Sequence, residues 1–256
     1  EAKDVKVLLK KKKINLIILK NKEKIKKNIQ SFARVVRYKL LLNFCNKHKI
    51  KFIFTGHHRD DQIETFLIRL SRGSGIQGLS SMKKVSSLSS STKLVRPLLS
   101  EKKQDLAIFA KNFFGKVFKD PSNSNKKYLR TNIRRLTKQF EKNGIKHEQI
   151  ITSINNLGAT RDTLNSYILN IKKKCVVKKK KKIIINLNNF LLENNEIKLK
   201  IFSSCIKNIS KNYYPPRAKK VLNLLIRLKL EEKLKATLGG CVIQKIENNL
   251  VIHKEE

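Results

Sequence analysis

The chain has 256 residues, 40% of them hydrophobic and nine of them glycine, which suits one or two packed domains and argues against a disordered or fibrous chain. Its 59 lysines and arginines outnumber 19 aspartates and glutamates for a formal charge of +40; this favours a polyanionic partner, although with only twelve arginines a lysine-biased composition accounts for part of it. No apolar run reaches the roughly 18 residues of a membrane span, no secretory signal is visible, and four scattered cysteines without a C-x-x-C pair argue against a zinc ribbon or disulfide framework and suit a reducing cytoplasm.

From Glu1 the chain is already in a charged helical pattern, and it is expected to be a fragment. Ile14 to Leu19 (INLIIL) has the length and composition of a buried strand. Between about Glu23 and Lys47, Phe32, Val35, Val36, Leu40 and Phe44 recur near helical spacing. Ile50 to Phe54 (IKFIF) is a second strand candidate, ending at Thr55-Gly56. Ile63, Phe66, Leu67 and Leu70 then follow the i, i+3, i+4, i+7 pattern of a helix with one face on a core. After a serine-rich loop, Leu94-Val95 reads as a third strand, and Ser100 occupies an N-cap position before a helix running towards Phe113. Strands alternating with helices across short connections predict a parallel sheet in an α/β domain.

Composition shifts after Asn143-Gly144, so residues 1–143 and 144–256 are read as two domains. A helical pattern runs to about Asn170, followed by lysine runs at Lys172–Lys174 and Lys178–Lys182 around Cys175-Val176-Val177. Ile183 to Leu187 reads as a strand, and Glu196–Ile209 and Ala218–Leu230 as helices, the second entered through Tyr213-Tyr214-Pro215-Pro216-Arg217. Gly239-Gly240, Val242–Ile246 and Leu250–His253 read as a closing β-hairpin, giving a smaller α-rich or α+β domain.

The densest chemistry is Thr55-Gly-His-His-Arg-Asp-Asp-Gln-Ile-Glu-Thr65, where a strand hands over to a helix at the sheet edge that holds ligands in open α/β folds. With the helix opening at His57, ~100° per residue places His57, Asp60, Asp61 and Glu64 within an arc of about 100°. One imidazole and three carboxylates on one face suit either a divalent metal or a cationic amine whose proton is to be moved. The plain alternative is a solvated first turn whose acids complement the helix dipole. Gly73-Ser-Gly-Ile-Gln-Gly78 matches G-x-G-x-x-G formally, but a helix precedes it, so Gly73 reads as a helix stop before a flexible loop rather than as a dinucleotide site. Arg34 and Arg37, with Tyr38, are spaced to clamp a phosphate or to form an exposed basic face. Asp120-Pro-Ser-Asn123 is turn chemistry, followed by Tyr128-Leu-Arg-Thr-Asn-Ile-Arg-Arg135, a basic segment with a stacking aromatic that suits phosphate or single-stranded RNA.

Taken together, Ala33-Arg-Val-Val-Arg-Tyr38, the Thr55–Thr65 cluster, Arg69-Leu-Ser-Arg-Gly-Ser-Gly-Ile-Gln-Gly-Leu79, Arg96-Pro-Leu-Leu99, Asp120-Pro-Ser-Asn123 with Tyr128-Leu-Arg130 and Ile133-Arg134, and Thr237-Leu-Gly-Gly-Cys241 resemble the tRNA(Ile)-lysidine synthetases of the PP-loop (N-type) ATP pyrophosphatase superfamily. The resemblance implies an α/β PP-loop domain with an adenine nucleotide alpha hydrolase-like parallel sheet, followed by a tRNA-binding accessory domain. It implies a cytoplasmic ligase that joins L-lysine to the wobble cytidine of the CAU anticodon of tRNA(Ile), using ATP and Mg²⁺ through an adenylated base. Carried over residue by residue, Asp61 and Glu64 would hold lysine with Asp60 in support; His57, Arg37 and Arg34 would meet the ATP phosphates, and Arg130 and Arg134 the activated base or anticodon loop. No resident metal ligands are assigned. The family opens with a strand and an S-G-G-x-D-S phosphate loop, and none of the nine glycines lies in such a motif; the chain is expected to begin after that unit and to be impaired in adenylation on its own.

Three other readings stay open: a tRNA thiolase of the same superfamily, disfavoured by the scattered cysteines; a metal-dependent phosphohydrolase built on His57, His58, Asp60 and Asp61; and a non-catalytic RNA-binding module.

Overall fold

Apolar residues in helical register around Ile63 and Leu67 fold as α3 (Arg59–Leu70) in the computed structural model, which describes residues 2–21, 29–118, 129–212 and 215–255. The chain divides into two compact units, Glu1–Ala159 and Thr160–Glu256. In the first, α1 (Ala2–Lys11) and α2 (Ile29–Lys47) precede β1 (Phe52–Phe54), α3, a short α4 (Ile76–Leu79), β2 (Val85–Ser87), β3 (Lys93–Val95), α5 (Lys103–Phe114) and α6 (Leu129–Lys142). Asp120–Asn123, Tyr128 and the start of the Glu23–Lys47 pattern lie outside the described residues.

The sheet of the first unit has three strands in the order β1-β3-β2, with β1 parallel to β3 and β2 antiparallel. Alternation along the strands turns Ile53 and Leu94 inwards against Cys45 of α2, with Tyr38, Leu41 and Leu88 around them. The same alternation leaves Phe52 49% and Phe54 67% exposed on the other face. Helix α3 buries Ile63 and Leu67 against Ile133 of α6 and against Ile150 and Ile154 of α7 (His147–Cys175).

Three sequence expectations change here. Ile14–Leu19 is not a strand: its side chains are largely exposed and none of the described strands pairs with it. An extended apolar run without a neighbour leaves its N–H and C=O groups to water, so no ladder forms. Ser100 is not an N-cap; its hydroxyl donates to the Glu101 carboxylate, and α5 begins after Lys102. The units meet at Ala159–Thr160 rather than at the composition shift near Gly144, because the first turns of α7 bury Ile150 and Ile154 in the core of the first unit.

The second unit is α+β, as its pattern suggests. An antiparallel sheet in the order β4-β5-β8-β7-β6 is built from β4 (Val176–Lys178), β5 (Lys182–Asn186), β6 (Lys235–Thr237), β7 (Cys241–Ile246) and β8 (Asn249–Lys254). Ile183, Ile185, Ile243, Leu250 and Ile252 alternate inwards to meet α8 (Leu187–Leu191), α9 (Asn195–Ser210) and α10 (Ala218–Leu230). Asn186 and Asn194 cap α8 and α9 by accepting from the Asn189 and Ile197 amides. Tyr213 and Tyr214 lie outside the described residues. Among the described residues no helix is long and apolar enough to cross a membrane.

Candidate functional site

The site grows from the end of β1. The Thr55 amide donates to the Val95 carbonyl at 3.0 Å, carrying the parallel ladder one residue beyond β1. The chain then turns at Gly56, and α3 opens at Arg59, whose amide donates to the Glu101 carbonyl at 2.9 Å. His57 therefore precedes the helix rather than forming part of it, and the shared arc expected from His57 to Glu64 is broken at its first member. Its Nδ1 instead lies 2.8 Å from the Thr55 hydroxyl. Burial lowers the His57 pKa below 6.5; Asp61 opposes that shift, while Arg96, Arg34 and Arg130 add to it.

This arrangement makes Thr55 a test of the imidazole. A hydroxyl donating to Nδ1 favours the neutral ring with its proton on Nε2, a donor for an anionic ligand. Thr55→Val is expected to weaken the tautomer preference in imidazole ¹⁵N spectra, whereas Thr55→Ser keeps it, and both leave the burial that lowers the His57 titration. The folded pKa is the lower one, so on acidification the unfolded chain takes the proton first. The His57 contribution to stability is full above about pH 6.5 and is lost as pH falls through the lowered value.

The acids divide their tasks. The Asp61 carboxylate accepts from the His58 amide at 3.1 Å and lies 3.5 Å from His58 Nε2, closing the first turn. Glu64 is only 3% exposed and accepts from Arg134 Nε at 2.5 Å and Nη2 at 3.4 Å. That hydrogen bond is the main cause raising the Arg134 pKa, to which Asp61 and Asp60 also contribute. Asp60 has no ion-pair partner among the described residues and lines, with Glu64 and Arg134, a cleft of about 450 Å³.

The sequence reading missed much of this cleft. Its wall includes Lys102, Lys103, Glu141 and His147, together with Arg59, whose Nη2 donates to Glu148 at 3.0 Å. Apart from Arg59, no local motif marks these residues, since tertiary packing alone brings the starts of α5 and α7 to α3. Neighbouring loops are firmly held: the Gln62 amide exchanges hydrogen bonds with the Met82 backbone at 2.8 and 2.9 Å, and Arg69 donates to the carbonyls of Gly78 and Ser81. The segment after Gly73 (φ 64°) is thus pinned rather than flexible.

Of the expected basic residues, Arg34 is exposed, lies over the Tyr38 ring at 5.0 Å and is near enough to lower the His57 pKa; exposed Arg130 does the same. Arg37 is exposed on α2, and among the described residues no hydrogen bond or ion pair joins it to the cluster. No group of three His, Cys, Asp or Glu side chains converges as a metal cage among the described residues.

A strand-end cluster of this kind on an α/β sheet belongs to nucleotide-handling folds, and the PP-loop domain family matches residues 1–140; the chain belongs to that family. Over 245 residues it is 36% identical to the tRNA(Ile)-lysidine synthase of Wolbachia pipientis wMel, covering 95% of this chain and 57% of that protein. The synthase of Wolbachia sp. subsp. Brugia malayi (strain TRS) gives the same figures. That of Orientia tsutsugamushi (strain Boryong) is 32% identical over 236 residues, covering 89% and 53%. The chain spans about half the length of these curated relatives.

Proposed function

We propose that the chain takes part in ATP-dependent ligation of L-lysine to the wobble cytidine of the CAU anticodon of tRNA(Ile), in the cytoplasm, with the first unit carrying the chemistry and the second holding tRNA. The observation that carries this reading is the acidic start of α3 after β1: Asp61 acts on half-buried His57, and Asp60 and Glu64 line the adjoining cleft. In the first step the cytidine C2 oxygen attacks the α-phosphate of ATP and pyrophosphate leaves. The lysine ε-amine then attacks C2 and AMP departs.

The amine is protonated in water, with a pKa near 10.4, so it must be gripped by carboxylate and give up a proton before attack. Asp60 in the cleft and Asp61 at its back, on the His58 amide, offer that grip, and Glu64 joins it where the amine competes with Arg134. His57, Arg34 and Arg37 face the phosphates as donors, and Arg130 and Arg134 offset negative charge on the activated base. Mg²⁺ enters as the counter-ion of the ATP phosphates, part of the nucleotide substrate.

The test is incorporation of labelled lysine into tRNA(Ile) transcripts by this chain preceded by a strand and S-G-G-x-D-S phosphate-loop unit, without which adenylation is expected to be impaired. Incorporation that needs ATP and a CAU anticodon supports the reading. Phosphate release without ATP, dependent on added transition metal and without lysine transfer, overturns it in favour of a phosphohydrolase.

A further inference from the structure

The hairpin between β4 and β5 consists of five consecutive lysines, Lys178–Lys182, all exposed. Lys178 pairs with Ile183, and the Lys179 amide donates to the Lys182 carbonyl at 2.8 Å, which leaves Lys180 and Lys181 as a two-residue loop. Five neighbouring ammonium groups repel one another. Among the described residues none of the five enters an ion pair.

Two ordinary explanations fall short. Lysines at Lys172–Lys174 complement the C-terminal dipole of α7, but the hairpin lies beyond that helix. Edge strands carry lysine to block unwanted pairing, and β4 is an edge; the opposite edge, β6, manages with Lys235 alone. The remaining charge calls for a polyanion. A membrane surface would also want apolar side chains at the tip, and this loop has none.

We propose that the Lys178–Lys182 hairpin is a phosphate-backbone grip for RNA, binding without regard to base sequence; this rests on the tRNA reading above. The experiment measures binding of labelled tRNA transcript to the full 256-residue chain between 50 and 200 mM salt. Each lost phosphate contact removes about 0.7–0.9 from the slope of log affinity against log salt. The K179Q/K180Q/K181Q variant is expected to flatten the slope by roughly 2 and to weaken binding about 10- to 100-fold near 0.1 M salt. K179R/K180R/K181R is expected to keep the parental slope, and K219Q/K220Q/K229Q, on exposed positions of α10, to leave it unchanged. An unaltered slope in the hairpin glutamine variant, or equal flattening by the α10 variant, overturns the grip. So does hairpin-dependent sedimentation with phosphatidylserine vesicles when the tRNA slope is unaffected. A parent chain that binds no tRNA overturns the functional reading as well, whereas one that binds tRNA with a hairpin-independent slope overturns the grip alone.

Discussion

Arg134→Met is expected to destabilise the first unit by about 2–3 kcal/mol, read from urea unfolding followed by circular dichroism. Removing one partner of a fully buried ion pair costs about 3–5 kcal/mol because the other charge is left uncompensated. Glu64 meets that condition at 3% exposure, but the Arg134 side chain keeps 29% of its surface in water, and the lower figure follows. Glu64→Gln alone is expected to cost less, about 1–2 kcal/mol, since a neutral amide can still accept from the guanidinium. The double variant E64Q/R134M should recover part of the loss, with a coupling of about 1–2 kcal/mol. Simple additivity of the two single effects would mean that the pair does not act as a unit.

In the chain preceded by a phosphate-loop unit, Asp61→Asn is expected to reduce lysine incorporation about 10²- to 10⁴-fold, the range for losing a positioned acid–base group, with little change in tRNA affinity. Asparagine keeps an oxygen for the His58 amide, so the first turn of α3 survives and the lost charge is isolated. Without the carboxylate, attack depends on amine already free in solution. The residual rate should then climb about tenfold per pH unit below 10.4, a steeper rise than in the parent chain. An Asp61→Asn chain with the parental rate and pH profile would remove Asp61 from the chemistry.

Periodicity made much of this fold legible. The stripe around Ile63 and Leu67, the helix at Ala218–Leu230 and the closing hairpin follow from local pattern because burial repeats at the period of each element. Ile14–Leu19 shows the limit: composition reports that a segment can form a strand, while pairing depends on a neighbour elsewhere. Strands β1, β2, β3, β4 and β6 all have three residues, too short to leave a period; apolar runs mark β1 and β3, while β2 and β6 carry too little apolar sequence and β4 is set among lysines. In the site, the Thr55–Thr65 cluster stands out because its members are contiguous. Glu64 and Arg134 are 70 residues apart, and nothing in the sequence around either discloses their ion pair. Asp60, read as a supporting acid, lines the cleft without an ion-pair partner, and Glu64, read as a lysine ligand, is already engaged. That exchange of circumstances could be seen only once α6 was packed against α3.

The placement of the thiols offers a built-in record of how the molecule comes apart. All four cysteines are buried: Cys45 under the sheet of the first unit, and Cys175, Cys205 and Cys241 in the core of the second. Burial pushes the Cys205 thiol up to about 11, which keeps it protonated and unreactive in the folded chain. An alkylating reagent thus gains access only through transient opening. Because each unit holds its own cysteines, the sequence in which they are modified distinguishes loosening of one unit from loosening of the other, with no foreign probe introduced.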